Sequence, residues 1–234
     1  MSFKETYGQK PIFGMIHLSS TEPVRRALRE LELYEEEGLA GAIIENYHGE
    51  THDVIDTLKE THRFTRLKIG INILPNEDAL ALSLAKQYGA SFVQLDHVAG
   101  HYRDRGTVNF EAYIHARSRH PNIHVLGGVH PKYYEPLTPL EDDLVRAVGR
   151  ADAIVVTGQG TGKETPIEKI LQFRETIGLH PLIVGAGCTP KNIYSQLKIA
   201  DGAIVGSAFK PHANTRNEVD PKMVRDFMAR ARSR

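Results

Sequence analysis

The chain has 234 residues, of which 41% are hydrophobic and 25% charged, an ordinary composition for a globular protein. Its 29 Lys and Arg residues are balanced by 29 Asp and Glu, which excludes nucleic acid as the main partner, because binding a phosphate backbone needs a basic surplus. A lone cysteine, Cys188, excludes an intrachain disulfide framework, and no apolar run has the length of a secretory leader core or the ~20 residues of a membrane span; we expect a cytoplasmic protein without membrane insertion.

Eight short runs rich in Val and Ile read as strands, separated by stretches of helical spacing. PIFGMIHL (11–18) comes first and carries His17 near its end; VRRALRELELYEEEG (24–38) follows as a helix. GAIIENY (41–47) ends in Glu45 and Asn46, and KIGINIL (68–74) holds Asn72 before the helix EDALALSLAKQYG (77–89). SFVQLD (91–96) brings Asp96, with His97 next, and leads into a long connection over 98–108. IHVLGGV (123–129) is followed by His130 and Lys132 in a second long connection (130–140), then the helix EDDLVRAVGR (141–150). ADAIVVTG (151–158) carries Thr157, and PIEKILQFRETIG (166–178) is helical. PLIVGAG (181–187) and DGAIVGSA (201–208) complete the set, with a third long connection over 209–220.

Continuous apolar strands fit a sheet buried on both faces, and strand–helix alternation makes that sheet parallel. Eight such units predict an α/β protein, a single (β/α)8 barrel domain over 1–234, with the long connections at its C-terminal mouth. An open doubly wound sheet would carry a glycine fingerprint after the first strand, where this chain reads HLSSTEP.

GQGTGKET (158–165) has the look of a nucleotide phosphate loop but fails its pattern twice. Thr157 stands at the first glycine position, and Glu164 follows the lysine where Ser or Thr is needed to bind magnesium. After the sixth strand it is a mouth loop, bringing Lys163 toward an anionic substrate. The phosphate site of such a barrel lies in the loops after strands seven and eight. Those loops hold Gly185 and Gly187, with a helix expected to start near Pro190 after a Thr189 cap, and Gly206, Ser207 and the cation Lys210.

An acid or amide inside an apolar strand is costly unless it is paired or reaches the open mouth. Glu45 and Asp96, with His17 and His130, are therefore the candidate catalytic residues for acid–base chemistry, and His97 stands beside them. Asn46, Asn72, Lys132, Thr157 and Lys163 are candidates for binding substrate. The bland alternative is that the strand-end polar groups only hydrogen-bond to one another. Two histidines with a carboxylate could also hold a divalent metal, but no compact ligand motif is present and no cofactor is expected. Cys188 reads as a packing residue. The expected partner is a small phosphorylated substrate, and the expected assembly a homo-oligomer, a dimer or higher.

PIFGMIHL, GAIIENY, IGINILPNEDAL, ADAIVVTGQGTGKET, VGAGCTPKNI, ADGAIVGSAFK and NEVDPKMV together resemble, in order, the segments of the BtpA/SgcQ family. The resemblance implies a barrel related to phosphate-binding (β/α)8 enzymes. It links one branch to photosystem I biogenesis and leaves many members in non-photosynthetic settings with a suspected sugar-phosphate role. The family tends to carry an Asp two residues before the strand-end His in the fifth segment, where this chain has Gly128 before His130. If that Asp is catalytic in the relatives, the resemblance implies altered or lost chemistry here. It also keeps a non-catalytic assembly or regulatory factor, binding a phosphorylated ligand or a protein, as the alternative to an enzyme.

Overall fold

In a computed structural model, which describes residues 1–103 and 109–233, eight parallel strands close into a barrel in sequence order. The strands are β1 (Ile12–His17), β2 (Gly41–Glu45), β3 (Lys68–Asn72), β4 (Phe92–Leu95), β5 (His124–Gly128), β6 (Ala153–Val156), β7 (Leu182–Val184) and β8 (Gly202–Val205). Ile183 pairs with Gly202 across β7 and β8, and Ile12 with Ala203 closes the ring. The predicted connection over 98–108 runs partly through 104–108, which lie outside the described residues.

Among the described residues the helices are α1 (Phe3–Tyr7), α2 (Pro23–Glu36), α3 (Thr51–Phe64), α4 (Asp78–Tyr88), α5 (Phe110–Ser118), α6 (Leu140–Val148), α7 (Ile167–Ile177), α8 (Ile193–Leu197) and α9 (Pro221–Arg232); α2, α4, α6 and α7 fall on the four stretches named above as helical. Their starts and stops follow local chemistry. Asp220 caps α9 by accepting the N–H groups of Lys222 and Met223, with Pro221 at the first helical position, and α4 ends on Gly89 in the left-handed conformation.

Because strand side chains alternate, each strand feeds two separate apolar layers. One residue set, including Ile16, Ile44, Ile71, Val93, Val125, Val156, Val184 and Val205, packs outward under the helices. The other, Phe13, Met15, Ile43, Phe92, Leu126, Ala153, Val155, Ile183 and Ile204, fills the interior. That is why the strands read as unbroken apolar runs.

The interior core also contains Phe3 and Tyr7 of α1. This helix is set by a reciprocal capping box between Ser2 and Glu5 and seals the N-terminal end of the barrel. Tyr7 meets Phe13 and Phe92 edge-on, at 5.3 and 5.5 Å between ring centroids, and its hydroxyl lies 3.1 Å from Nδ1 of His124.

Phe92 is fully buried in this aromatic floor. Phe92→Ala should lower unfolding free energy by about 3–5 kcal/mol, because the surrounding rings cannot collapse into the space left behind; a urea denaturation curve measures it.

Candidate active site

The inward-facing rows that build the core turn polar at their C-terminal ends. His17, Glu45 and Asn72 stand side by side, since His17 pairs with Glu45 across β1 and β2 and Glu45 with Asn72 across β2 and β3. Gln94 and Asp96 continue the row of Phe92 on β4. Together with the mouth loops they border a cavity of about 250 Å³. Its β1–β4 side presents His17, Glu45, Tyr47, Gln94 and Asp96; Lys132 and Tyr134 lie after β5; Gly185, Gly187, Gly206 and Ser207 form the side after β7 and β8.

Glu45 is the electrostatic centre of the polar half. Burial pushes its carboxyl up to about 7, the nearby Asp96 adds to the rise, and Lys132, the Asn72 hydrogen bond and Lys210 oppose it. Asn72 donates from Nδ2 to Glu45 Oε1 at 2.7 Å. The imidazole of His17 is 3.7 Å from Glu45 Oε2, but burial, and after it the positive charges of Lys210, Lys132 and Arg26, hold it well below its usual range. At neutral pH His17 is uncharged and the contact is no ion pair. Asp96 is fixed on its other side by the Tyr134 hydroxyl, which donates to Oδ2 at 2.8 Å.

Thr157 also borders the cavity, its hydroxyl accepting the Lys132 backbone N–H at 2.9 Å. The ammonium of Lys132 makes no hydrogen bond or ion pair among the described residues and is left to face the cavity. Gly187, at φ +66°, has no room for a side chain: a Cβ would lie 2.1 Å from the Lys163 carbonyl oxygen. A Cβ on Gly206 would approach Cε1 of His17 to 3.1 Å.

Several sequence expectations need correction. Asn46 points away from Glu45, as strand alternation requires, and accepts the Leu74 N–H at 2.8 Å outside the cavity lining. Asn72 is buried and reaches Glu45 instead of the cavity space. His130 turns outward at φ +45°, its Nε2 2.9 Å from the buried Asp143 of α6, because that carboxylate needs polar partners; Thr138 is another. His97 is buried beside Tyr102 and Tyr134, at 5.0 and 5.5 Å, away from the cavity.

The side chain of Lys163 is exposed and does not border the cavity, although its carbonyl covers Gly187. Lys210 is fully buried beneath the 211–219 segment, donating to the Thr215 carbonyl at 3.2 Å, and burial holds its amine down to about 8. The helix expected to start near Pro190 is regular only from Ile193, after a turn in which the Thr189 carbonyl accepts the N–H groups of Asn192 and Ile193 at 3.2 and 3.0 Å. Asn192 takes the Thr189 N–H at 2.7 Å and donates to the Gly187 carbonyl at 2.9 Å, which folds 187–192 into a turn and delays α8 to Ile193.

Cys188 is buried with its thiol pushed up to about 12, a packing residue and no nucleophile. Among the described residues no group of three or more His, Cys, Asp or Glu is placed to hold a metal ion, and no helix is long and apolar enough to cross a membrane. Gly128 leaves no space for the Asp that the family resemblance leads one to expect, since a Cβ there would lie 2.0 Å from the Asp96 carbonyl oxygen. Sequence reasoning overlooked Tyr47, Gln94, Tyr133, Tyr134 and Thr161, all bordering the cavity. For Gln94 the signal was present, two residues before Asp96 on the same face of β4.

Fold and mouth together define a closed (β/α)8 barrel whose polar cavity opens at the C-terminal ends of the strands, the position of the active site in enzymes of this fold. The chain belongs to the BtpA family, whose model matches residues 8–233. An uncharacterized protein of Pyrococcus abyssi is 33% identical over 91% of this chain and 92% of its own length. The Photosystem I biogenesis protein BtpA of Synechocystis is 25% identical over 97% of this chain and 89% of its own. Among solved structures, N-(5'-phosphoribosyl)anthranilate isomerase from Pyrococcus furiosus is similar with a TM-score of 0.65 at 16% identity, covering 96% of this chain and all of that one (100%). Tryptophan synthase from M. tuberculosis gives 0.68 at 12% identity, covering 96% and 94%. These similarities show the barrel fold.

The raised Glu45 carboxyl has a measurable stability consequence. A folded pKa of about 7 against an ordinary 4.5 stabilises the fold fully below 4.5, and this contribution is lost as pH rises through about 7. Glu45→Gln should therefore gain stability relative to wild type between pH 5 and pH 8, by on the order of 3 kcal/mol, in denaturation curves compared at the two pH values.

Proposed function

We propose that this chain is an enzyme acting on a small phosphorylated metabolite, of the sugar-phosphate kind, by acid–base chemistry at the barrel mouth. The reaction is that of a lyase, isomerase or epimerase. The observation that carries the reading is Glu45: a buried carboxyl with a pKa of about 7 exchanges protons readily in either direction near neutral pH, and it borders a cavity with a glycine-lined opposite side.

In this reading Glu45 removes a proton from a carbon beside a carbonyl, and the Lys132 ammonium balances the negative charge that develops on the carbonyl oxygen. Asp96, held by Tyr134, serves as the second acid–base group. Asn72 orients Glu45, and neutral His17 offers a ring nitrogen to a substrate hydroxyl. The phosphate sits against Gly185, Gly187, Gly206 and Ser207. Backbone N–H groups of these loops would bind it, apart from that of Gly185, which the Val156 carbonyl takes at 2.8 Å, and without a contribution from Lys210 or from a helix beginning at Pro190. A cytoplasmic homo-oligomer, binding neither nucleic acid nor membrane, belongs to the same proposal, and no step in it calls for a metal or organic cofactor.

A second reading, a non-catalytic assembly or regulatory factor, is favoured by the similarity to the Synechocystis biogenesis protein and by apolar side chains exposed on the outer helices, Val145 and Leu171 among them. A thermal-shift screen of phosphorylated metabolites separates the two when followed by turnover assays on the ligands found. A ligand at 100 times its Kd adds about 2.7 kcal/mol of stability. Turnover should fall a hundredfold or more in Glu45→Gln and in Asp96→Asn. Full activity in both variants removes these roles, and binding without turnover by the wild-type protein favours the second reading.

Gly206→Val should weaken phosphorylated ligands at least tenfold, because its branched side chain presses on His17 and Met15 and enters the phosphate space. Calorimetric titration of the variant against wild type measures the loss. An unchanged affinity would remove Gly206 from the phosphate site.

A further inference from the structure

The segment GQGTGKET is not accounted for by the acid–base groups, yet Thr161 and Gly162 border the cavity together with Gly187, Gly206 and Ser207. It is seated there by close backbone packing. The Lys163 carbonyl oxygen occupies the space of the missing Gly187 side chain, where a Cβ would lie 2.1 Å from it. Gly162, at φ +73°, lies where a Cβ would be 3.3 Å from Ser207 Oγ, and the Thr165 hydroxyl donates to the Ala186 carbonyl at 3.0 Å. The loop after β6 thus lies directly over the loops after β7 and β8.

Its outer edge is held by Tyr133. The phenol oxygen accepts the Thr161 N–H at 2.8 Å, although the residue adopts φ +69° and is 68% exposed. A non-glycine residue in this conformation, with a large ring in water, persists only where surrounding contacts hold it, and such positions cluster at ligand sites. Its neighbours supply those contacts. The Lys132 N–H is bound to Thr157, Tyr134 is bound to Asp96, and the His130 carbonyl accepts from Lys169 at 3.3 Å. The HPKYY loop is pinned at each of these points and carries the ring of Tyr133 across to the loop after β6.

We infer that Tyr133 and the 158–165 loop roof the glycine-lined anion site and restrict it to terminal phosphate monoesters. The inference rests on the phosphate site proposed above. Under the roof, a phosphorus atom can carry one substituent, directed down the cavity toward Glu45 and Asp96. A second substituent would have to leave through the seam between Tyr133 and Thr161. Phosphodiesters are therefore excluded by shape, in addition to their lower charge.

The test compares inorganic phosphate, glycerol 3-phosphate and the diester glycerophosphoglycerol by calorimetric or NMR titration of the whole chain. Wild type should bind glycerol 3-phosphate at least tenfold more tightly than the diester. Tyr133→Gly suits the positive φ and removes an exposed ring together with its hydrogen bond to the Thr161 N–H, both on the rim and outside the barrel core, so the fold is retained. It should bring the diester to within about threefold of the monoester while changing inorganic phosphate by less than twofold. A diester bound by wild type as tightly as the monoester overturns the roof, as does a preference that survives unchanged in Tyr133→Gly, because charge alone then explains it. If inorganic phosphate binds neither protein, the anion site itself fails and the roof with it; if phosphate binds but selectivity is absent, the roof alone fails.

Discussion

Closing eight strands into a ring forces alternate side chains of every strand into one narrow interior, and only the C-terminal end of that interior meets water. The apolar rings and branched chains at the lower levels satisfy this constraint by burial. A carboxylate at the top level cannot, and Glu45 responds by holding its proton toward neutral pH. Asn72 then has one dominant task, to fix that carboxyl, while the loss of charge on His17 follows from the same desolvation together with the cations around it. Acid–base capacity at the mouth is thus a consequence of closing the barrel around a polar top layer.

The mouth divides into two chemical halves. Side chains that titrate or hydrogen-bond are concentrated after β1 to β5, whereas the loops after β6 to β8 contribute mainly backbone, with glycines at each close approach. Backbone can bind an anion at short range without bringing a mobile side chain along, and titrating groups need the freedom of a side chain to meet a substrate proton. Separating the two lets a ligand be held at one end while it reacts at the other.

Much of the fold was legible because each strand is apolar on both faces and the connecting helices carry amphipathic spacing with glycine or proline at their ends. Glu45 and Asp96 were visible as polar interruptions of apolar strands. Their neighbours Asn46 and His97 carried the same signal, and only strand alternation separates the residues that face inward from those that do not. His130, Lys163 and Lys210 lie beyond strand ends, where no period fixes direction. A buried carboxylate on α6, a crossing loop and a covering segment decide their orientations. Tyr133 and Tyr134 were overlooked because aromatic residues in a loop resemble ordinary packing, and their hydroxyl partners, Thr161 and Asp96, are distant in sequence.

The aromatic seal made by Phe3 and Tyr7 at the far end of the barrel has a bearing on traffic. With that end stopped, the cavity bordered by the described residues is a pit open at the mouth, and a ligand that enters there departs by the same side. Arrival of a new ligand and departure of the old one are mutually exclusive events at the same threshold. Any molecule resting on the rim would govern both at once, so occupancy of the rim is a natural point at which the rate of exchange can be set without altering a single residue at the bottom.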